Sequence, residues 1–361
     1  MREDLLCQTV QIPPSWTVAE QVIGLLNDPE LPNDWQLKTR ASIYASNNVL
    51  PLKLGDDEEL PTTRFNANHA FYATHSLKDL ALTRGRWTLR YGYGKADLYQ
   101  GNRGAAQLFL DSKSGSIDWS KDYDVNASLK RTRLYRLTVE HVIPFKHGKG
   151  QISLALHWLR VHRLQEGTLA GQTQSGQFQG DLILLTTRGL PRHKIRSNGL
   201  VLDVAAVVPI NERIKFGLWG ENVFSRIWQR TIQKITAKVA TNIIEPDPDG
   251  FLHAVPFLQG RIEQTSLKVK AKQIWTIGAA FQQDRSKWIL IFIRERDWQV
   301  GVGYGFPVDH KKRVWVMISE HPRFLQVGID TTQLQLMVSI DKLNASTSKR
   351  AMMVARWLWS F

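Results

Sequence analysis

The chain ends Ala351-Met352-Met353-Val354-Ala355-Arg356-Trp357-Leu358-Trp359-Ser360-Phe361. Counted back in twos, Phe361, Trp359, Trp357, Ala355, Met353 and Ala351 fall on one face, and Ser360, Leu358, Arg356, Val354, Met352 and Arg350 on the other. A period of two is a strand, not a helix. One face is wholly apolar and the other carries two arginines. Eleven residues is also about the length a tilted strand needs to cross a bilayer, roughly 9–11 residues.

Phe361, with Trp359 and Trp357 at the alternate positions before it, resembles the C-terminal signature of bacterial outer-membrane β-barrels. The resemblance implies that these three residues form an assembly signal read by the barrel assembly machinery. It also implies the outer membrane of a Gram-negative bacterium, with its lipid and lipopolysaccharide as surroundings. The competing fold is a soluble all-β sandwich.

The rest of the 361 residues agrees with the barrel. No run of about 18 apolar residues exists, so no transmembrane helix is expected. A mean hydropathy of −0.28 suits a wall in which only alternate residues meet lipid. Trp is abundant, at 13, and Trp87, Trp158, Trp275, Trp288 and Trp298 fall near strand ends or on apolar faces, as interfacial girdles require. The single cysteine, Cys7, excludes an internal disulfide and a cysteine-rich metal site. Met1-Arg2-Glu3-Asp4 opens without an apolar h-region, so the expectation is a mature chain whose signal peptide has been removed.

Residues 1–34 read differently from the rest. Thr17-Val18-Ala19-Glu20 looks like a capping box opening a short amphipathic helix, framed by Pro13-Pro14 and by Pro29 and Pro32. It is expected as a plug or extension, with residues 35–361 as the barrel. Strand patterning starts at Trp35. Trp87, Leu89, Tyr91 and Tyr93 alternate with Thr88, Arg90, Gly92 and Gly94, which puts aromatics outside and small residues inside. Residues 131–144 and 150–163 read as a hairpin; 111–130 and 164–179 read as polar loops. From 261 onward a strand recurs about every ten residues. The expected fold is all-β: a transmembrane antiparallel barrel of about 14 strands, between 12 and 16, with a short N-terminal helical segment.

Net charge is +14, from 47 Lys and Arg against 33 Asp and Glu. Nucleic acid is the default partner of such a balance. Here the cations recur at alternate strand positions and no recognition motif appears, so no nucleic acid is expected. Leu267, Val269 and Ala271 alternate with Lys268, Lys270 and Lys272; Ile214, Phe216 and Leu218 oppose Arg213 and Lys215; Arg230, Lys234 and Lys238 share one parity. A charge facing mid-bilayer lipid costs about 2–4 kcal/mol. These eight are therefore expected to line the lumen and attract anionic or amphipathic solutes. The alternative is that they pair with Asp203, Glu140, Glu221 and Glu263 in a closed structural lumen.

His321, His141 and His157 could form a stray Ser/His pair, but nothing resembles an outer-membrane phospholipase, and no enzyme activity is expected. Asp247-Pro248-Asp249-Gly250 is read as turn chemistry, so no metal or cofactor is expected. One longer resemblance remains. Ser197 to Ala205, then Pro209, then Phe216 to Val223 look like a strand pair of FadL-like barrels, implying 14 strands and an N-terminal plug. The Asn-Pro-Ala motif of fatty-acid transporters is missing. The function expected is a porin-like outer-membrane channel or transporter. The alternative is a non-conducting structural or assembly component of an envelope secretion machine.

Overall fold

The structure is a computed structural model. It describes residues 9–10, 21, 32–47, 69–113, 122–145, 150–174, 177–191, 195, 197–246, 252–283, 286–294, 298–308, 312–320, 323–331, 333–341 and 350–360.

The chain folds into one antiparallel sheet closed on itself. Its strands are β2 (Gln36–Asn47), β3 (His69–Arg84), β4 (Trp87–Asn102), β5 (Asp124–Phe145), β6 (Gly150–Gln174), β7 (Gln177–Thr186), β8 (Ser197–Pro209), β9 (Ile214–Pro246), β10 (Leu252–Ala271), β11 (Ile274–Gln283), β12 (Ser286–Arg294), β13 (Trp298–Pro307), β14 (Lys312–Glu320), β15 (Arg323–Thr331), β16 (Leu334–Ile340) and β17 (Arg350–Ser360). A two-residue strand, β1 (Thr9–Val10), adds in parallel beside Lys270–Ala271. β7 and β8 both lie between β6 and β9, one above the other, and β10 and β11 likewise share a position beside β9. The sixteen antiparallel strands therefore make 14 staves. β17 pairs with β2 from Ser360 opposite Gln36 to Arg350 opposite Ser46, which closes the barrel.

The two ends of the barrel differ. Tight turns such as Gly85–Arg86 and Ile210–Arg213 lie at the end that also holds Gln36 and Ser360. The longer connections lie at the other end. In outer-membrane barrels short turns are periplasmic and long loops extracellular. On the loop end β5, β6, β9 and β10 run far beyond their neighbours, to 22, 25, 33 and 20 residues. Residues 164–174, expected as loop, belong to this tall wall. Gln, Thr and Gly dominate there because neither face meets lipid, so the alternation that marks a membrane strand is absent. Residues 124–130 are likewise strand, and the helix α1 (Arg103–Lys113) precedes them. Its first turn is capped by Asn102, whose Oδ1 accepts the Ala105 N–H at 3.0 Å.

Outward positions form an apolar belt. Trp87, Leu89, Tyr91, Leu137, Val139, Leu154, Leu156, Trp158, Leu218, Ile277, Val302, Val327 and Met353 are all exposed. An aromatic rim bounds the belt at the turn end, where the tilted rings of Trp288 and Tyr304 lie 4.8 Å apart and Trp357 stacks on Trp359 at 6.3 Å. Tyr93, Tyr135, Trp158 and Trp275 bound it at the loop end. Exposed aromatics on a closed sheet are what lipid contact, rather than a soluble core, demands. The expected helix over residues 17–26 lies outside the described residues except Gln21, as do the Asp247–Gly250 turn and Phe361.

Candidate functional site

The lumen has two unlike sides. On β2 to β6 the inward positions carry charge in matched sets. Arg40 donates Nε to Asp79 at 2.9 Å and its NH2 reaches the same carboxylate. Arg136 approaches Asp79 from the other side, at 3.9 Å. Arg90 meets Glu140 at 3.4 Å. Higher up, Thr138 Oγ1 and His157 Nδ1 lie 2.7 Å apart, and His157 Nε2 is 2.7 Å from Asp203 Oδ2. Asp203 Oδ1 accepts the backbone N–H of Asn222 at 2.6 Å. Asn222 sits at φ 56° in a bulge where β9 gains residues opposite Asp203. Asn tolerates that left-handed conformation better than most residues.

The facing side, on β8 to β17, is apolar. Trp219, Ile289, Ile291, Trp315, Met317, Met337 and Val354 form one buried cluster. Two glycines make room for the indoles. A Cβ at Gly328 would fall 2.1 Å from the Trp315 ring, and one at Gly217 equally close to Trp219. Among the described residues, Trp315 Nε1, Gln326 Oε1, Gln335 Nε2 and Ser339 Oγ are buried there without a hydrogen-bond partner. They are neutral groups, able to hold the polar end of an uncharged or amphipathic molecule. One contact ties the N-terminal region to this interior: buried Gln21 donates Nε2 to Thr276 Oγ1 at 3.3 Å.

The eight cations expected to line the lumen do not converge. Lys215 faces inward beside Ala280, and Lys234 and Lys238 lie on the face of buried Ile232. Arg213 is exposed in the turn before β9, and Lys272 sits at the break between β10 and β11. Lys268 and Lys270 point outward. Their neighbours Val269 and Ala271 are the inward ones, packed with Leu159, Val201 and Ile227. Apolar residues were expected to mark the lipid side of this strand, but β10 stands where the lumen is apolar, so the parity is reversed. Arg230 also points outward. A bulge sets Arg230 and Thr231 opposite the single residue Ser266, so the side chains change face between Arg230 and Lys234.

Arg40, Asp79 and Arg136 escaped the sequence reading, which puts Arg90 on the inner parity without a role. The signal was present: each is a charge at the parity opposite outward apolar residues. Trp357 and Trp359 lie on the outer face at the turn end, 48% and 44% exposed. A cavity of about 510 Å³ opens beside them on the membrane face, over Ala41 and Ala355 and between Leu80, Tyr91, Tyr93 and Trp357.

No protein-family profile matches the chain, and no curated protein does. Among solved structures it is similar to the toluene transporter TodX of P. putida, at 9% identity over 95% of this chain and 92% of that one, with a TM-score of 0.48. It is similar also to the translocator domain of the autotransporter NalP from Neisseria meningitidis, at 7% identity over 94% and 92%, with a TM-score of 0.35. A third is the CymD monoaromatic hydrocarbon channel, at 8% identity over 92% and 89%, with a TM-score of 0.31.

Proposed function

We propose that this barrel is a passive transporter in the outer membrane of a Gram-negative bacterium, carrying amphipathic solutes, anionic ones included, past an N-terminal plug. The observation that carries the reading is the two-sided lumen. A solute with an apolar body and one polar group can lie along Trp219, Ile291, Trp315 and Met337 and turn its polar group to unpaired Trp315, Gln326 or Ser339, or to the arginines opposite. Because Arg40, Arg90 and Arg136 stand beside Asp79 and Glu140, charge alone would select weakly among ions.

The Gln21 contact supports residues 1–34 as the plug. Conductance across planar bilayers, with and without residues 1–34, tests the reading. The full chain should conduct little and the truncated chain several-fold more, with faster uptake of amphipathic aromatics into liposomes. A barrel that stays closed to ions and solutes in both forms would sink the transporter. That result would favour the second reading, a non-conducting structural or assembly component, which the buried Gln21–Thr276 contact equally permits.

Assembly has its own test. Trp357 and Trp359 present an aromatic row at the closing strand, and Phe361 continues its parity. Phe361→Ala should lower the amount of barrel in the outer membrane while leaving the melting midpoint of already folded protein nearly unchanged. Equal membrane levels for variant and parent would remove Phe361 as a signal to the assembly machinery.

A further inference from the structure

We propose that the outer wall of β9 and β10, just beyond the loop-end rim of the apolar belt, binds the phosphate groups of the outer-leaflet glycolipid, lipopolysaccharide. The inference rests on the reading of the chain as an outer-membrane barrel.

The site is built from Arg226, Trp228 and Arg230 on β9, Lys268 and Lys270 on β10, and Arg160 on β6. Residues directly opposite in an antiparallel pair share a face, and Lys268 lies opposite Trp228. Arg226 and Arg230 are then the diagonal neighbours of Lys268, about 7–8 Å away. Lys270 follows Lys268 on the same face, about 7 Å along the strand. All five cations are exposed. The Arg226 guanidinium lies over the Trp228 ring, 5.7 Å from its centroid. Trp228 pairs on its other side with Asn198, and Arg226 with Leu200, so the cluster stands directly above lipid-facing residues.

Among the described residues none of these five cations has a carboxylate partner. The contrast with β4 and β5 is instructive. There, Arg131 and Arg133 point outward too, and both are held by Asp97, at 3.2 and 2.7 Å. On β9 and β10 the like charges stand within about 7–8 Å of one another with no such carboxylate among the described residues. Arginine forks fit phosphate oxygens two at a time, and lysines add point charge. Basic clusters at a membrane surface recognise anionic headgroups.

The occupant is a lipid rather than a dissolved anion because of what lies beneath. Leu200, Phe224 and Trp275 are exposed just below the cations, where acyl chains would rest. A headgroup anchored to the cluster keeps its chains on that belt. Lysines beside a strand edge also discourage edge-to-edge association, and among the described residues β1 covers that edge of β10 only at Lys270 and Ala271. If they do only that, lipid affinity will not depend on them.

The test uses the folded barrel in detergent, with diphosphoryl lipid A, its dephosphorylated form and inorganic phosphate as probes. The thermal midpoint of the parent should rise with diphosphoryl lipid A alone. The variant R226Q/R230Q/K268Q/K270Q should fold to the same midpoint without lipid and bind diphosphoryl lipid A roughly several hundredfold more weakly. If the fourfold variant fails to fold, K268Q/K270Q should show a smaller loss in the same direction. Equal lipid affinity in variant and parent overturns the proposal, as does a parent response to phosphate alone or to the dephosphorylated lipid. A parent that forms no heat-modifiable barrel in detergent would instead overturn the membrane reading beneath it.

Discussion

Asp203→Ala is expected to lower the unfolding free energy of the barrel by about 2–6 kcal/mol, about 1–3 kcal/mol for each of the two buried groups that lose it as hydrogen-bond partner. Asp203 is wholly buried and serves two elements at once. One carboxylate oxygen meets His157 Nε2, and the other accepts the Asn222 N–H at the bulge of β9. Alanine would leave both groups without that acceptor inside the wall. Asp203→Asn keeps an oxygen for one of them and should lose roughly half as much. Urea unfolding in phospholipid micelles, followed by tryptophan fluorescence, reads both midpoints. An alanine variant within about 0.5 kcal/mol of the parent, the range of an ordinary surface change, would mean that Asp203 does not pin the bulge.

Trp315→Ala should cost a similar amount, about 3–5 kcal/mol, because it empties the largest fully buried side chain in the apolar half of the lumen. Its indole fills the space above Gly328 and packs in the cluster with Met317 and Met337. The surrounding wall is a closed sheet and can collapse into the gap only slightly, so most of the vacated volume should remain as lumen. The variant should therefore be both less stable and more permeable to amphipathic solutes. Gly328→Ala, which drives a methyl into the same ring, should reproduce the loss of stability. A destabilised variant with unchanged permeability would place the solute path elsewhere.

How far the sequence was legible depended on whether lipid was present. From Trp87 to Tyr93, and from Ile274 to Ser360, alternate residues meet lipid and the period of two is readable, although the first of these strands runs on to Asn102. The closing strand was legible for the same reason. Above the membrane both faces are polar, so residues 164–174 looked like a loop although they extend β6. The candidate site was less legible, since parity says which residues share a face but not which face is inside. The apolar character of Leu267, Val269 and Ala271 points to lipid, yet this lumen is apolar on that side. Arg230, Lys234 and Lys238 share a parity in the sequence but not a face in the fold, because the single inserted residue at the bulge near Arg230 leaves no mark in composition. The buried arginines could have been found by asking which charges stand opposite outward apolar residues.

The pairing of β17 with β2 sets this sheet apart kinetically. Every other antiparallel contact joins strands at most two apart in chain order, so the ribbon can be knitted progressively along the chain. The pair Ser360–Gln36 instead joins the two ends of the barrel chain. Until it forms, the ribbon has two bare edges, each a template for pairing with another chain. Contacts of such long range are slow to form. Circularisation must therefore wait until β2 and β17 are both present, and the hazard of misassembly persists for that whole interval and ends at both edges in the same step.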